Sequence, residues 1–463
     1  MAKLINITPE TNLLLQLLSS QEQLHGDCGH FVVLLSCKLI ECCLDYPIGI
    51  CRVYMYRIHD ILIELLSVES LFRQATRLND KETLTNLVKT VISAKHALGL
   101  DTEEINHISK CILDSFLSSI NISGNSVSCN VEIRCVGGCI VQESRVLKNQ
   151  LILDVVIAPE VAEFINNTLS CGSIKVLLFD ISLRFEENQI GFNIKTSTDL
   201  NSNWTMRDIE IEELTALGDR LVAQGVQMIL SQRVIHPWLR NYLLSKYVLP
   251  LERLSVLHIA QVQSMTNCLI LSHISKGEET LWDGYIGELA SVKLVQFAYR
   301  KMVVLEGSSS AHRTSTLILA NLDEHSLSEM ETISKRAIKV LTQFISNPFV
   351  VAGGGAVEWF LANSLRNISD PNAKFRSMCA SVAEAFEFLI IKSAGFEALQ
   401  QLNEHNSKLN ECNSKFGFGW DCHTQCVSQG TLVDSGPAKL HALSVAIHAA
   451  VALSRVRSVV QSS

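Results

Sequence analysis

Proline is scarce in this sequence, 8 among 463 residues, and long uncharged apolar runs are missing. Scarce proline leaves room for long helices, because an interior proline removes an amide donor and clashes with the preceding turn. No uncharged apolar stretch approaches the ~18 residues of a membrane-spanning helix, so no membrane insertion is expected. Met1–Ala2–Lys3 runs into Asn6 and Pro9 without an apolar core, so no secretory signal is expected either. There is no basic stripe, and the formal net charge is -8. Nucleic-acid binders draw their affinity from dense basic surface, so that class is excluded. What fills the composition is apolar. Hydrophobic residues make up 47% and the mean hydropathy is +0.22, enough that part of the excess is expected to lie against other subunits.

The 15 cysteines are scattered and, without secretion, are expected to be reduced thiols of a cytosolic-type compartment. Cys422–His423 with Cys426, and Cys135 with Cys139, have a faint metal-site spacing. A zinc site wants four ligands, so buried reduced thiols are the default for these and for Cys42–Cys43. Along the chain the first hundred residues read as helices, with Leu13, Leu14, Leu17 and Leu18 and then Ile61, Ile63, Leu65 and Leu66 at helical spacing. From Cys129 the texture changes: Val131, Ile133 and Cys135 alternate until Gly137–Gly138, and Ile152–Ile157 reads as a further strand. Ile174–Phe179 is almost continuously apolar, as in a strand buried on both faces. A helix is expected over Leu217–Leu230, a loop-to-helix junction at His236–Pro237–Trp238–Leu239, and helices through Leu257. Trp238 is a candidate partner-binding anchor. A helix over Ser326–Ser346 ends before Pro348, and Gly353–Gly354–Gly355 opens the next. An Ala-rich helix from Ala438 to Ser454 follows Asp434–Ser435–Gly436–Pro437, with Asp434 or Ser435 as its cap.

Four segments, in order, carry a family resemblance. Gly353–Gly354–Gly355–Ala356–Val357–Glu358 resembles the Gly-Gly-Gly-Ala-x-Glu signature of group II chaperonins. Gly26–Asp27–Cys28–Gly29–His30–Phe31–Val32–Val33 is similar to their Gly-Asp-Gly-Thr-Thr loop and helix. Gly137–Gly138–Cys139–Ile140–Val141–Gln142–Glu143–Ser144 and Asp434–Leu443 resemble the segment leading into the apical domain and the C-terminal nucleotide-pocket helix. Asp27–Cys28–Gly29 and Val234–Ile235–His236–Pro237–Trp238–Leu239 are similar to the McKusick–Kaufman/Bardet–Biedl syndrome chaperonin-like subgroup.

The resemblance implies an α+β multidomain fold with three nested domains. These are a helical equatorial domain (1–92 and 358–463), an intermediate domain (93–147 and 325–357) and an α/β apical domain (148–324). It also implies an ATP pocket with Mg²⁺ on Asp27, the loop Gly26, Asp27, Cys28 and Gly29 at the phosphates, and Gly354, Gly355, Gly419 and Asp434 at the ribose and base. Bland readings stand beside these. Asp27 and Asp434 are equally helix caps, and the glycines equally a tight turn.

The sequence departs from the family in three places. The Gly-Pro-x-Gly-x-x-Lys phosphate loop falls before Met1, which implies either an N-terminally truncated chain or a protein that dispenses with it. Gly29 and His30 stand where the family has threonines. The general-base aspartate belongs 17 residues before Gly353, where the chain has Arg336 between Lys335 and Ala337. A guanidinium cannot take a proton from water. Glu329 and Glu331 lie at least a helical turn away. The expectation is therefore a chaperone or assembly factor that is not an ATPase and holds ATP and Mg²⁺ weakly. By resemblance it works with other chaperonin-like subunits and the CCT ring on subunits of the ciliary BBSome, in the cytoplasm near the centrosome and cilium base. An active ATP-driven ring subunit and a non-chaperone scaffold are the rival readings.

Overall fold

The computed structural model describes residues 9–68, 70, 72–77, 79–95, 98–123, 126–153, 159–168, 172–183, 206–272, 282, 284–297, 300–308, 313–407, 417–422 and 424–454. In chain order the N-terminal part carries α1 (Pro9–His25), α2 (Gly29–Leu44), α3 (Ile48–Ser67), β1 (Arg73–Ala75), α4 (Lys81–Ser93) and α5 (Thr102–Ser119). The middle carries β2 (Ile120–Ser123), β3 (Ser126–Cys129), β4 (Val131–Gly137), β5 (Arg145–Lys148), β6 (Gln150–Leu153), α6 (Pro159–Thr168) and β7 (Ile174–Phe179). It continues with α7 (Met206–Ala223), β8 (Met228–Ser231), α8 (Pro237–Ser245), β9 (Leu249–Leu251), α9 (Val256–Thr266) and β10 (Ile270–Leu271). Then come β11 (Ile286–Phe297), β12 (Arg300–Gly307) and β13 (Ser315–Asn321). The C-terminal part carries α10 (Glu324–Ser346), β14 (Phe349–Ala352), α11 (Ala356–Arg366), α12 (Ala373–Ala394), α13 (Phe396–Asn406), β15 (Phe418–Asp421), β16 (Cys426–Gln429), β17 (Val433–Ser435) and α14 (Gly436–Leu453).

These elements form two compact units, one from Met1–Leu113 with Glu324–Ser463 and one from Asp114–Asp323. In the first, both chain ends meet in one core. Leu35 and Leu39 of α2, Met55, Ile58 and Leu62 of α3, Phe375 and Phe386 of α12 and Ala446 and Ile447 of α14 are buried together. A three-stranded sheet, β1-β14-β17, places Arg73–Ala75 and Val433–Ser435 on opposite edges of β14. The short β1 interrupts the expected run of N-terminal helices. Among the described residues, α14 is the one helix long and apolar enough to cross a membrane, and over half of it is buried in this core.

The second unit holds a seven-stranded sheet in the order β6-β12-β11-β7-β8-β9, with β10 also on β7. As the sequence suggested, β7 is buried on both faces. Ile174, Val176 and Leu178 pack with α6 and α9 residues such as Ile165 and Val262, while Leu177 and Phe179 pack with Leu221 of α7 and Leu239 of α8. The expected helix over Leu217–Leu230 is corrected: α7 stops at Ala223 and Met228–Leu230 is buried strand. Gly225, at φ 72, ends the helix. Its amide donates to Val222 O and that of Val226 to Leu221 O, at 2.9 and 3.1 Å, the paired bonds of a glycine C-cap. Likewise β9 breaks the helical run expected through Leu257. Of the strand expected over Ile152–Ile157, β6 covers Gln150–Leu153 and the rest lies outside the described residues.

Candidate functional site

The Gly26–Asp27–Cys28 loop joins α1 to α2 and is bent by two left-handed residues, Gly26 at φ 77 and Cys28 at φ 64. Gly26 is required, because a Cβ there would lie 2.5 Å from the carbonyl oxygen of Arg336 on α10. Cys28 carries a Cβ in a region that disfavours one, at a cost of about 1 kcal/mol. Its thiol is offset by burial with Val32, Ala438 and Ala442. Cys28, not Asp27, is the N-cap residue of α2, and no side chain caps that helix. Asp27 Oδ1 instead accepts a 2.7 Å bond from the Cys28 amide.

A buried ion cluster faces this loop. Lys439, in the first turn of α14 and 6% exposed, puts Nζ 2.6 Å from Glu358 Oε1 and 3.0 Å from Asp434 Oδ2. The ammonium also lies 4.7 Å from the centre of the Phe31 ring. Glu358, in the first turn of α11, is buried, and its Oε2 has no hydrogen-bond partner. Burial works to discharge Lys439, but Glu358 and Asp434 outweigh it and hold its pKa well above the ordinary lysine value. Asp27 is pushed up, first by burial and then by Asp434, with the Cys28 amide and Lys439 opposing. Asp434 does not cap α14. Ser435 does, its Oγ accepting from the Ala438 amide at 3.4 Å.

The glycines are spent on backbone contact. A Cβ on Gly354 (φ 60) would meet Trp420 O and N at 2.6 and 2.7 Å, and one on Gly419 would meet Gly353 O at 2.3 Å. The Trp420 amide donates to Gly354 O at 2.9 Å, so β15 lies directly on the turn before α11. Gly355 (φ 79) faces Ile390 and Leu402. At the other end, Arg336 pairs with Glu22 Oε2 at 2.5 Å, and a Cβ on Gly29 would lie 2.8 Å from Glu22 Cγ. Where the family motif has a threonine, this chain has a glycine with a carboxylate side chain packed over it. Gln21, fully buried, ties the loop to α14, with Nε2 donating to Asp27 O and Ala438 O at 3.1 Å each.

The structure thus gathers Asp27, Cys28 and Asp434 around Lys439, sets Gly26 and Gly29 against Arg336 and Glu22, and packs Gly354 on Trp420, Gly419 on Gly353, and Gly355 on Ile390 and Leu402. Gln21, Glu22 and Lys439 were missed from the sequence. Lys439 had a signal, as a lone cation in an Ala-rich helix. Among the described residues no group of three histidines, cysteines or acids could hold a metal, so the cysteine clusters gain no support. Cys422 and Cys426 are exposed rather than buried, and His423 lies outside the described residues. Cys43 is core and Cys42 half-buried. Trp238 is half-buried, stacked on Tyr242 with ring centroids 5.1 Å apart.

A helical unit built from both chain ends, an α/β unit from the stretch between, and this double-glycine loop with its facing ion cluster define a group II chaperonin subunit fold. An open-state monomer of a group II chaperonin from Methanococcoides burtonii matches with a TM-score of 0.64, covering 93% of this chain and 100% of that one at 17% identity. The chain belongs to the TCP-1/cpn60 chaperonin family, which it matches over residues 2–463. It is 24% identical to the molecular chaperone MKKS of Mus musculus, over 92% of this chain and 74% of that protein. It is also 21% identical to the thermosome subunit beta of Sulfolobus acidocaldarius, over 97% of this chain and 80% of that one.

Proposed function

We propose that this chaperonin-like protein is a chaperone or assembly factor that does not turn over ATP and acts with other chaperonin-like subunits. The observation that carries the reading is the Arg336–Glu22 pair closed over Gly29. General-base catalysis contributes typically about 10²–10⁴-fold, and a paired guanidinium offers no base. The Glu22 carboxylate would also repel a phosphate at Gly29, so these residues do not fit a nucleotide triphosphate. Asp27 is a single oxygen donor facing Lys439, a poor match for Mg²⁺, which wants near-octahedral oxygen ligation. The base and ribose end, with Asp434 held by Lys439, is the better preserved half. Any nucleotide held there is bound weakly.

The likeness to a molecular chaperone named MKKS supports a role on polypeptide clients. The family resemblance extends that to the CCT ring as a partner and BBSome subunits as clients, near the centrosome and cilium base in the cytoplasm. The test is twofold. Purified protein should release no phosphate from ATP above background, and affinity capture from ciliated cells should recover chaperonin-like subunits together with BBSome subunits. Steady phosphate release that disappears in Asp27→Ala would favour the active-ring reading. Capture of stable partners with no chaperonin-like subunit among them would favour the scaffold reading.

A further inference from the structure

Where α3 packs against α14, three polar side chains are bonded in series. Ser444, half-buried in the third turn of α14, has its Oγ 3.1 Å from His59 Nε2. His59 Nδ1 lies 3.2 Å from Oδ1 of Asp60, the next residue of α3. An ionised carboxylate only accepts, so the imidazole keeps its proton on Nδ1. Nε2 is then left with a lone pair that takes the hydroxyl proton of Ser444. Both distances fall within the roughly 2.6–3.2 Å that mark a nucleophile, its base and the group orienting that base.

Ser444 differs from other helical serines of the chain. Ser36 of α2, Ser109 of α5 and Ser381 of α12 each donate to the carbonyl oxygen four residues back, the ordinary outlet for a hydroxyl inside a helix. Ser444 donates to an imidazole instead. The three groups open to solvent, since the Asp60 side chain is 82% exposed and His448, one turn beyond Ser444 with its ring centre 5.3 Å from that of His59, is also exposed. Two features limit the chemistry. The Ser444 amide lies inside α14 and is spent on the helix ladder, so it cannot donate to an oxyanion as a hydrolase nucleophile's own amide does. Water around Asp60 also dilutes its hold on the imidazole. Such a serine suits a single transfer from a donor with a good leaving group, not turnover.

We propose that Ser444 is a covalent modification site, an activated serine that accepts an acyl group from an activated ester or thioester. Ser444 Oγ attacks the acyl carbon, and the Oγ–C bond forms as the bond to the alkoxide or thiolate leaving group breaks. The hydroxyl proton passes to His59 Nε2 and from there to the leaving group. The products are an O-acyl serine, a neutral imidazole and the released alcohol or thiol, with no change of oxidation state. Asp60 is a positioning residue that holds the imidazole in the reactive tautomer.

Treating the full chain with 4-nitrophenyl acetate at neutral pH tests this, with nitrophenolate release followed by absorbance and acetyl groups mapped by peptide mass spectrometry. Release should show a burst of one equivalent without steady turnover. Ser444 should be acetylated at least about tenfold faster than an exposed serine such as Ser245, the low end of what a positioned base supplies once its carboxylate is solvated. His59→Gln removes the base and should bring Ser444 down to the level of Ser245, while His448→Gln should leave it within about twofold of wild type. Asp60→Asn should slow the reaction several-fold and Asp60→Glu should restore it; a purely structural contact would be kept by the isosteric asparagine. Asp60 is exposed enough that these two variants fold whatever happens to His59→Gln. An acetyl group that stays on His59 or spreads evenly over exposed serines overturns the proposal. So does labelling of Ser444 that is unchanged in His59→Gln or indifferent to Asp60→Asn.

Discussion

Replacing Lys439 with methionine should cost more than removing any other charge at the site. The ammonium lies 2.6 Å from Glu358 Oε1 and 3.0 Å from Asp434 Oδ2, and both Lys439 and Glu358 are more than nine-tenths buried. Methionine keeps the volume and removes the charge. Glu358 is then left buried with Oε1 unpaired as well as Oε2, which already has no partner. Removing one partner of a buried ion pair typically costs about 3–5 kcal/mol. Asp434, with its side chain 15% exposed, reaches water more readily than Glu358 at 7%, so Glu358 carries most of the penalty. For a unit of this size each kcal/mol is worth roughly 2–4 °C, so the melting temperature should fall by about 10 °C. Lys439→Met combined with Glu358→Leu should recover most of the loss, since apolar replacement of a whole buried pair is often neutral or better. With the folded lysine pKa raised, the pair's contribution is fully present below the unfolded lysine value of about 10.4 and lost above it, so the deficit should be flat across neutral pH. Differential scanning calorimetry on Lys439→Met, Glu358→Leu and the double variant measures all of this. A loss below about 1 kcal/mol in Lys439→Met, or a double variant as unstable as the sum of its singles, would refute the reasoning.

Asp27→Asn should be more stable than wild type at pH 7, because the buried carboxylate beside Asp434 has a raised pKa and its ionised form is penalised. The gain should vanish in denaturation curves taken below the unfolded carboxylate value, where both proteins are neutral at that position. Gly354→Val should destabilise by more than about 3 kcal/mol or fail to fold, since it meets the Trp420 backbone at 2.6 Å and a β-branched residue resists φ 60; a melting curve within a few degrees of wild type would sink this. Cys426, exposed on β16, should alkylate well before Cys42 and Cys379, whose thiols burial pushes up to about 11; peptide mapping after timed iodoacetamide treatment reads the order.

What could be read from the sequence was local. The apolar run Ile174–Phe179 announced a two-faced strand because every second residue feeds a different core, and Pro348 and Gly353–Gly355 marked the boundaries of α10 and α11. The run Leu217–Leu230 misled because Val226 and Met228–Leu230 continue the apolar pattern, and the stop is a conformational property of Gly225. The glycine positions of the pocket were legible as motifs, yet what fills the space beside them was not. Glu22 is close in sequence to Gly29 but lies over it because of the left-handed bend at Gly26 and Cys28, whereas Trp420 over Gly354 comes from a segment that only the tertiary fold brings near. The ion cluster was hidden for the same reason, since Glu358 and Lys439 stand 81 residues apart and Gln21 and Ala438 417.

The three-stranded sheet sets a timetable for synthesis. Strand β14 pairs on one side with Arg73–Ala75 and on the other with Val433–Ser435. At ribosomal rates of roughly 5–20 residues per second, about 20–70 s separate the emergence of its two partners. The Asp114–Asp323 unit, whose contacts are all made within one stretch of chain, can close in that interval. The N-terminal helices cannot, because α14 has yet to leave the ribosome and it supplies Leu443, Ala446, Ile447 and Ala450 to their core. A stop codon between residues 353 and 433 would leave Val350–Ala352 with an open strand edge and α2 and α3 with an uncovered apolar face, a nascent chain shaped for aggregation rather than for partial activity.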